Sequence, residues 1–450
     1  MRGAECGNRN EETGKPGMEV AAGTGMRVCN SPGKGEWIQC VTSTTSFRIG
    51  RALPWVLVIL GSLAGAGSGF AQSGAPFHYY DSAIGKTGAP LKAALQSIIR
   101  NHTVIPYTST LPDTWDALKV LDEDAANAND VILIYSGFSV LKSDQYNGTT
   151  GTWDREHLWP QSFGIVALNS NSRAKSDLFN LRPINVSINS TRGNKYFDYS
   201  LPPITYPPGA PGSSYDSNSW EPREADKGPI VRGLFYMAVR YDGSDADVPD
   251  LELSDSPNAA AYRFGKLTTL LAWHRQFAVG LPERQRNERI YLDYQHNRNP
   301  FIDHADYAEM VFNGVSPGVA WKDTNFTDAE ISDPAIGGDA ADPDHDGVSN
   351  LLEYVFNHDP RQPEASPVTA VSVMGSGGGL SLLVSFAHNR NATDVALTYE
   401  GSTDLATWTV APSQVVSTVV TSSETEQITV LLLAPTSGYF VRIRATRTGP

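Results

Sequence analysis

The chain has 450 residues, too many for one ordinary hydrophobic core, so two or three domains are expected. It is 40% hydrophobic and 19% charged, a composition typical of globular rather than disordered proteins. The formal net charge of −14 argues against a protein that coats nucleic acid with basic residues, because phosphate affinity comes from Lys and Arg.

The acidity is concentrated towards the C-terminus. Residues 326–450 contain 5 basic and 15 acidic residues (5 − 15 = −10), whereas residues 72–325 contain 23 and 29 (23 − 29 = −6). The window 153–195 reverses this sign and is rich in basic residues, namely Arg155, Arg173, Lys175, Arg182, Arg192 and Lys195. A local basic window in an acidic chain predicts a focused phosphate site.

The N-terminal part of the chain carries the pattern of an export signal. Arg48 and Arg51 precede an apolar run at 53–66, which is followed by the small-x-small pattern of residues 69–71. The run is about 14 residues long, short of the roughly 20 that a membrane-spanning helix needs. The sequence therefore predicts cleavage near Ala71, a secreted or periplasmic protein and no membrane span in its mature form. An uncleaved anchor or a buried strand is the alternative.

The predicted first segment, 1–71, combines this signal with an upstream extension, which a start codon assigned too far upstream would explain. All three cysteines, Cys6, Cys29 and Cys40, lie in that extension. The mature protein would then have neither disulfides nor a thiolate nucleophile.

Residues 72–325 are predicted to form one α+β domain. Apolar residues at helical spacing predict a helix at 89–102, and a short apolar run predicts a buried strand at 131–135. Further helices are predicted at 229–241 and 262–277, after a Pro-, Gly- and Ser-rich loop at 201–219.

The middle of this domain contains a compact polar motif. Residues 153–160 read as a short strand ended by Pro160, and 178–182 are predicted to pair with it as a hairpin. Residues 184–194 suit a helix that closes near Gly193. On that helix Asn185, Asn189 and Arg192 would share one face, because they stand at i, i+4 and i+7.

An acidic segment at 326–366 is predicted to link this domain to a smaller one. Residues 342–353 match the calcium-loop pattern Asp-x-Asp-x-Asp-Gly-x5-Glu at every position. The candidate ligands are Asp342, Asp344, Asp346, Val348, Asn350 and Glu353. We expect a structural Ca²⁺ that stiffens the junction, with a solvated acidic loop as the alternative.

The last segment, 367–450, is predicted to be all β. Five runs of strand-like residues, separated by turn residues, lie at 380–386, 395–400, 414–420, 427–433 and 439–445. Their number and spacing predict a small β-sandwich of about 80 residues.

The residue types of the central motif suit phosphodiester hydrolysis. A neutral imidazole such as that of His157 can remove a proton from water. A hard divalent cation held by oxygen ligands would stabilise the charge that develops on the phosphate, and an Arg could hold a non-bridging oxygen. The spacing alone leaves structural alternatives: Asn189 as a helix cap, Arg182 paired with Asp177, and His157 as a satisfied core residue.

Several separated segments, in the same order, resemble the endonuclease I family of secreted bacterial nucleases. The resemblance is carried by residues 79–81, 115–118, 153–160, 177–194, 220–222, 236–241 and 298–304. It implies a ββα-metal (His-Me finger) fold, His157 as general base, and Glu156 and Asn189 as ligands of Mg²⁺, replaceable by Mn²⁺ or Ca²⁺. Arg192, in the family's Asn-x-x-Arg-Gly-Asn stretch, becomes the candidate phosphate contact. Phe179 departs from the family pattern, which usually has His there.

Two functions of different classes follow. The first is a metal-dependent endonuclease acting on DNA, RNA or both with little sequence specificity, because the motif addresses the backbone. The second is a non-catalytic, calcium-stiffened adhesion or matrix-binding protein on a nuclease fold. A zinc hydrolase is disfavoured because the chain has no His-Glu-x-x-His.

Overall fold

The computed structural model describes residues 26–30, 36–41, 74–365, 368–374, 380–434 and 439–448. The apolar run and cleavage point of the predicted export signal lie outside the described residues. The first described residues form strands β1 (Met26–Asn30) and β2 (Glu36–Val41), which pair antiparallel. The chain divides into two compact units: Ser73–Thr327, and a second that combines Met1–Gln72 with Asp328–Pro450.

The Ser73–Thr327 unit mixes helices and short strands. Its helices are α1 (Gly88–Ile99), α2 (Thr114–Leu121), α3 (Val186–Arg192), α4 (Glu224–Arg240), α5 (Leu267–Gln276), α6 (Leu281–Arg289), α7 (Pro300–Asp303), α8 (Tyr307–Phe312) and α9 (Pro317–Asn325). Its strands are β3 (Glu123–Asp124), β4 (Asn127–Ile132), β5 (Ser139–Leu141), β6 (Trp153–His157), β7 (Leu181–Asn185), β8 (Tyr196–Phe197), β9 (Ser214–Tyr215), β10 (Ser219–Glu221), β11 (Glu252–Leu253) and β12 (Arg263–Phe264). The α+β prediction is confirmed for this unit.

Helix α4 is the centre of this unit. Every residue from Ile230 to Arg240 is buried, and the helix packs against α1 and α5. Its two most deeply buried cations are both paired: Arg232 with Glu283 at 2.6 Å, and Arg240 with Asp245. Pairing is required because an isolated charge in such a core would be strongly destabilising.

Several predicted elements have different boundaries in the structure, among them the following three. The strand predicted at 131–135 ends at Ile132, because the chain turns there and Tyr135 adopts a left-handed backbone conformation (φ 69°). The helix predicted from 262 begins only at Leu267, because Arg263 and Phe264 pair with β11 instead. Helix α4 begins at Glu224, five residues before the predicted start at 229.

Strands β6 and β7 form an antiparallel hairpin that continues directly into α3. The register pairs Trp153 with Asn185 and His157 with Leu181. The prediction that 178–182 pairs with β6 was therefore displaced by three residues. The cause is a turn at Asp177, whose carboxylate accepts a hydrogen bond from the Phe179 N–H (3.0 Å) and delays the strand.

In the second unit the described residues form two short helices and two open sheets. The helices are α10 (Asp328–Ile331) and α11 (Asn350–Phe356). The strands are β13 (Val368–Met374), β14 (Leu380–Asn389), β15 (Val395–Ser402), β16 (Thr409–Val410), β17 (Ser413–Val420), β18 (Thr425–Ala434) and β19 (Phe440–Arg447). One sheet has the order β13-β14-β18-β17 and the other β1-β2-β19-β15-β16.

All five strands predicted for the tail are present, and the β-rich prediction is confirmed. The rings of Phe386 on β14 and Tyr399 on β15 lie 6.5 Å apart, so a contact joins the two sheets. Within the described ranges no helix combines the length and apolar character needed to cross a membrane.

Candidate active site

A cleft of about 310 Å³ gathers the four residues that the sequence singled out for chemistry. His157 and Glu156 reach it from the end of β6, and Asn189 and Arg192 from α3. The hairpin brings these two elements together, since α3 begins one residue after the strand that pairs with β6. Tyr107, Asp154 and Gln161 are among the other lining residues.

His157 has a defined tautomer. Its Nε2 lies 2.9 Å from the backbone carbonyl oxygen of Lys175. A carbonyl only accepts hydrogen bonds, so Nε2 carries the proton, and Nδ1 of the neutral ring keeps an electron pair that can accept from the side-chain amide nitrogen of Gln161, 3.4 Å away. Burial lowers the pKa of His157 to about 3, and the neighbouring Arg155 acts in the same direction. The ring is therefore neutral near pH 7, with Nδ1 able to accept a proton.

The imidazole is fixed in orientation by an aromatic neighbour far away in sequence. The ring of Tyr107 stacks on it, with 5.6 Å between centroids and 30° between planes. The guanidinium of Arg155 lies 3.5 Å from the centroid of the same Tyr107 ring and also donates to Thr114 Oγ1 (2.9 Å). Tyr107 lies before the motif, and no spacing rule relates it to His157.

Glu156 is a buried carboxylate, only 1% exposed. Its Oε1 accepts a hydrogen bond from the hydroxyl of Tyr135 (2.7 Å) and lies 3.3 Å from Nη1 of Arg192. Burial raises the pKa of Glu156, while Arg192 and Tyr135 oppose that rise by favouring the anion. Tyr135 and Arg192 thus stabilise the carboxylate form of Glu156 at a buried position.

Arg192 is 1% exposed, and its side chain lies behind Glu156. Its guanidinium donates to the backbone carbonyls of His157 (3.1 Å) and Leu158 (2.7 Å). These contacts fix the end of β6 and neutralise Glu156. The geometry therefore favours a supporting role for Arg192 over the phosphate contact that the sequence suggested.

Asn189 lies half-buried on the side of α3 that faces the cleft. The alternative that it caps the helix is wrong, because Asn185 occupies the N-cap and accepts from the Ser187 and Ile188 N–H groups. Among the described residues, no side-chain hydrogen bond engages the amide of Asn189. Its oxygen and the Glu156 carboxylate offer hard donors in one cleft, which suits Mg²⁺, an ion that keeps several water ligands.

The basic window contributes less free charge than its composition suggests. Arg173 pairs with Asp247 (2.9 Å) and Arg182 with Asp122 (2.7 Å). The suggested pairing of Arg182 with Asp177 is wrong, because Asp177 instead accepts hydrogen bonds from the hydroxyls of Tyr236 and Tyr241. The free positive charge that the window can offer to a phosphate therefore comes mainly from its lysines.

Lys175 is a lysine of the basic window that lies beside the cleft without lining it. It is partly exposed, and its Nζ lies 4.6 Å from the centroid of the Tyr107 ring, which lines the cleft. The sequence counted Lys175 only as one charge in the window, yet the same residue supplies the carbonyl that fixes His157.

Residues 298–304, one of the segments that carry the family resemblance, make structural contacts. Arg298 pairs with Asp303 (2.7 Å) and Glu288 (2.6 Å), and His304 stacks on Tyr307. None of these residues lines the cleft. The predicted calcium loop belongs to the second unit, where carboxylate oxygens of Asp342, Asp344 and Asp346 all lie within 4.8 Å of one another.

Comparison with known proteins agrees with this geometry. The profile of the Endonuclease I family matches residues 87–306. A protein named extracellular ribonuclease from Bacillus amyloliquefaciens is 48% identical over 235 residues, which are 52% of this chain and 78% of that protein. Its namesake from Bacillus subtilis (strain 168) is 46% identical over the same shares. The matched region contains β6, β7, α3 and the whole cleft, and the chain therefore belongs to the endonuclease I family of nucleases.

Proposed function

We propose that this chain is a secreted, metal-dependent endonuclease that hydrolyses phosphodiester bonds with little sequence specificity. In this proposal β6, β7 and α3 are the ββα-metal (His-Me finger) motif. The observation that carries it is the neutral His157 in the cleft shared with Glu156 and Asn189. Its Nδ1 is the unprotonated ring nitrogen and makes a long contact with Gln161 Nε2 (3.4 Å). A non-catalytic adhesion protein is not favoured, because all three side chains are present in that one cleft.

Each residue has a defined task in this proposal. His157 accepts a proton from water at Nδ1, while its Nε2–H stays on the Lys175 carbonyl and prevents the ring from rotating. Glu156 and Asn189 would hold Mg²⁺, or Mn²⁺ or Ca²⁺ in its place, and such an ion stabilises negative charge on the phosphate. Tyr135 and Arg192 favour the carboxylate form of Glu156 and hold it in position.

RNA is the first substrate to test, because both relatives are named extracellular ribonucleases. Attack by water does not need a ribose 2′-hydroxyl, so the proposed chemistry also permits DNA. The same names support secretion, in agreement with the export signal predicted before residue 72.

The proposal is tested with the full chain on RNA and on supercoiled plasmid, in Mg²⁺ and in EDTA. We expect Mg²⁺-dependent cleavage that leaves no 2′,3′-cyclic phosphate on RNA. Cyclic phosphate ends together with intact DNA would contradict attack by water and indicate the 2′-hydroxyl as nucleophile. Absence of cleavage on both polymers would favour the adhesion alternative.

The burial of His157 predicts that acid destabilises the metal-free protein. The pKa of His157 is about 3 in the folded protein, against an ordinary 6.5, so the unfolded chain binds the proton more readily. Lowering the pH from 7.5 to 5 should therefore remove on the order of 2 kcal/mol from the free energy of unfolding through this group. Urea unfolding in EDTA measures this loss of stability. The His157→Ala variant should lose less stability over the same pH range. Equal losses in the two proteins would contradict a buried neutral ring.

Truncation of the tail should leave an active nuclease. All cleft residues lie before Thr327, and the acidic tail is ill suited to binding phosphate. The cut belongs after Thr327 rather than at 325, because Phe326 is buried and its ring lies 5.9 Å from that of Trp321. We expect the 72–327 fragment to cleave within a few-fold of the full chain in the same assay. A fragment that is folded by circular dichroism yet inactive would assign the tail a role in catalysis.

A further inference from the structure

The loop at 342–353 contains buried oxygen atoms that lack hydrogen-bond donors. They are Asp342 Oδ1, Asp344 Oδ2, Asn350 Oδ1 and both carboxylate oxygens of Glu353. Buried acceptors in native proteins are nearly always satisfied, so a group of them in one loop needs a specific explanation.

The burial of Glu353 distinguishes this loop from an ordinary acidic surface. It is 1% exposed and lies in the first turn of α11, and neither of its oxygens accepts a hydrogen bond. The nearest cationic candidate, Nδ1 of His358, is 3.8 Å from Oε2 and lies closer to Glu364 (3.0 Å). Burial raises the pKa of Glu353 to about 9, and Asp346 and Asp344 add to the effect by repulsion.

Asn350 supplies a second, independent indication. Its side-chain nitrogen donates to the carbonyls of Ile336 (2.6 Å) and Gly338 (2.9 Å), which fixes the orientation of the amide. Its oxygen is thereby left buried without a donor. Residue 350 is the ninth of the loop, a position that supplies a ligand in calcium loops, often through water.

We propose that residues 342–353 bind one Ca²⁺ through the carboxylates of Asp342, Asp344, Asp346 and Glu353, and that this ion fixes helix α11 against the β-sheets. The Val348 carbonyl and Asn350 complete the oxygen ligands, the latter directly or through water. Four carboxylates in a flexible loop suit Ca²⁺, which takes six to eight oxygens, better than Mg²⁺, which keeps its waters. The site is separate from the nuclease cleft in residues and in function.

Helix α11 transmits the effect of the ion to the sheets of the same unit. All its residues from Asn350 to Phe356 are buried. The hydroxyl of Tyr354 donates to Asp394 Oδ1 (2.7 Å), and the Phe356 ring lies 5.7 Å from that of Phe386 on β14. An ion that holds the first turn of α11 therefore holds a helix that also packs against β14 and β19.

The test uses the full chain with Ca²⁺ alone as the probe, by titration calorimetry and by thermal unfolding in EGTA and in Ca²⁺. We expect a Ca²⁺ site that raises the melting temperature and is lost in Glu353→Gln, with affinity lowered by about 100-fold or more, since losing even an outer partner of a ligand costs about 10–100-fold. Asp344→Asn should lose Ca²⁺ affinity and the melting shift in the same way. It tests the proposal if Glu353→Gln does not fold. The rate of Mg²⁺-dependent cleavage at low temperature should not change in either variant.

Two controls assign the ion to the loop. Glu252→Gln removes one exposed acidic charge from the other unit and should keep both the affinity and the melting shift. Asn189→Ala disrupts the cleft and should also keep the shift. Either a full shift in both loop variants, or a shift lost in Asn189→Ala, would overturn the proposal by placing the stabilising ion elsewhere. A wild-type chain that binds no Ca²⁺ at millimolar concentration would overturn it as well.

Discussion

Replacing His157 with Ala is expected to lower the cleavage rate about 10²–10⁴-fold, the range contributed by a positioned general base. The ring makes few contacts: its Nε2–H donates to the Lys175 carbonyl, its Nδ1 lies 3.4 Å from Gln161 Nε2, and its face packs on Tyr107. The variant should therefore fold and bind Mg²⁺ much as the wild type does. Single-turnover cleavage measures the loss, and isothermal titration with Mg²⁺ measures the retained binding.

The matched control is His388→Ala. His388 is partly buried on β14, where it pairs with Glu426 (3.1 Å), and it lies in the unit that does not contain the cleft. Its loss should leave cleavage within a few-fold of wild type. If His157→Ala also stayed within a few-fold, another group would have to be the base and the proposed mechanism would fail.

Glu156→Gln and Asn189→Ala should each lower cleavage at limiting Mg²⁺ by about 10²–10³-fold, because charge stabilisation by a metal is worth several kcal/mol. Gln is preferred at 156 because its amide oxygen can still accept from Tyr135 and it fills nearly the same space, whereas Ala would do neither; both replacements remove the counter-charge of the buried Arg192. The double variant should be little worse than the stronger single one, since residues that act as a unit are not additive.

Raising the Mg²⁺ concentration distinguishes a ligand from a folding residue. Asn189→Ala keeps the carboxylate and should recover part of its activity at high Mg²⁺, with an increased apparent Kd for the metal. Multiplicative losses in the double variant, or no recovery at any Mg²⁺ concentration in either single variant, would count against a shared ion and for a local folding defect. Circular dichroism of the three proteins identifies the second case.

The part of the site that could be predicted is the part encoded locally. Glu156 and His157 are neighbours on one strand, and Asn189 follows within one hairpin and one helix, so local structure brings them together, while the roles expected of them came from the family resemblance. The tail strands were equally accessible, because alternation with a period of two is a local signal.

What the sequence did not reveal depends on contacts between distant, chemically ordinary residues. Tyr135 reaches Glu156 only because the chain turns sharply after β4. Tyr107 stacks on His157 across 50 positions of sequence, and no spacing rule selects it from the chain's 18 tyrosines. Arg192 was recognised as important, but only its burial behind Glu156 distinguishes support of the carboxylate from contact with a phosphate.

The partner of His157 Nε2 is a main-chain carbonyl, and this has a consequence for how the family can vary. In sites where an aspartate orients the histidine, one nucleotide change can remove the orienting group. Here every amino acid at position 175 supplies the same oxygen, so point mutation cannot delete it. The orientation of His157, and with it the position of the proposed proton-accepting nitrogen, is thus insensitive to substitution at 175. It is sensitive to insertion or deletion in the segment between Pro160 and Lys175, because that segment sets where the carbonyl oxygen lies. Among natural relatives we expect this segment to tolerate changes of side chain far better than changes of length.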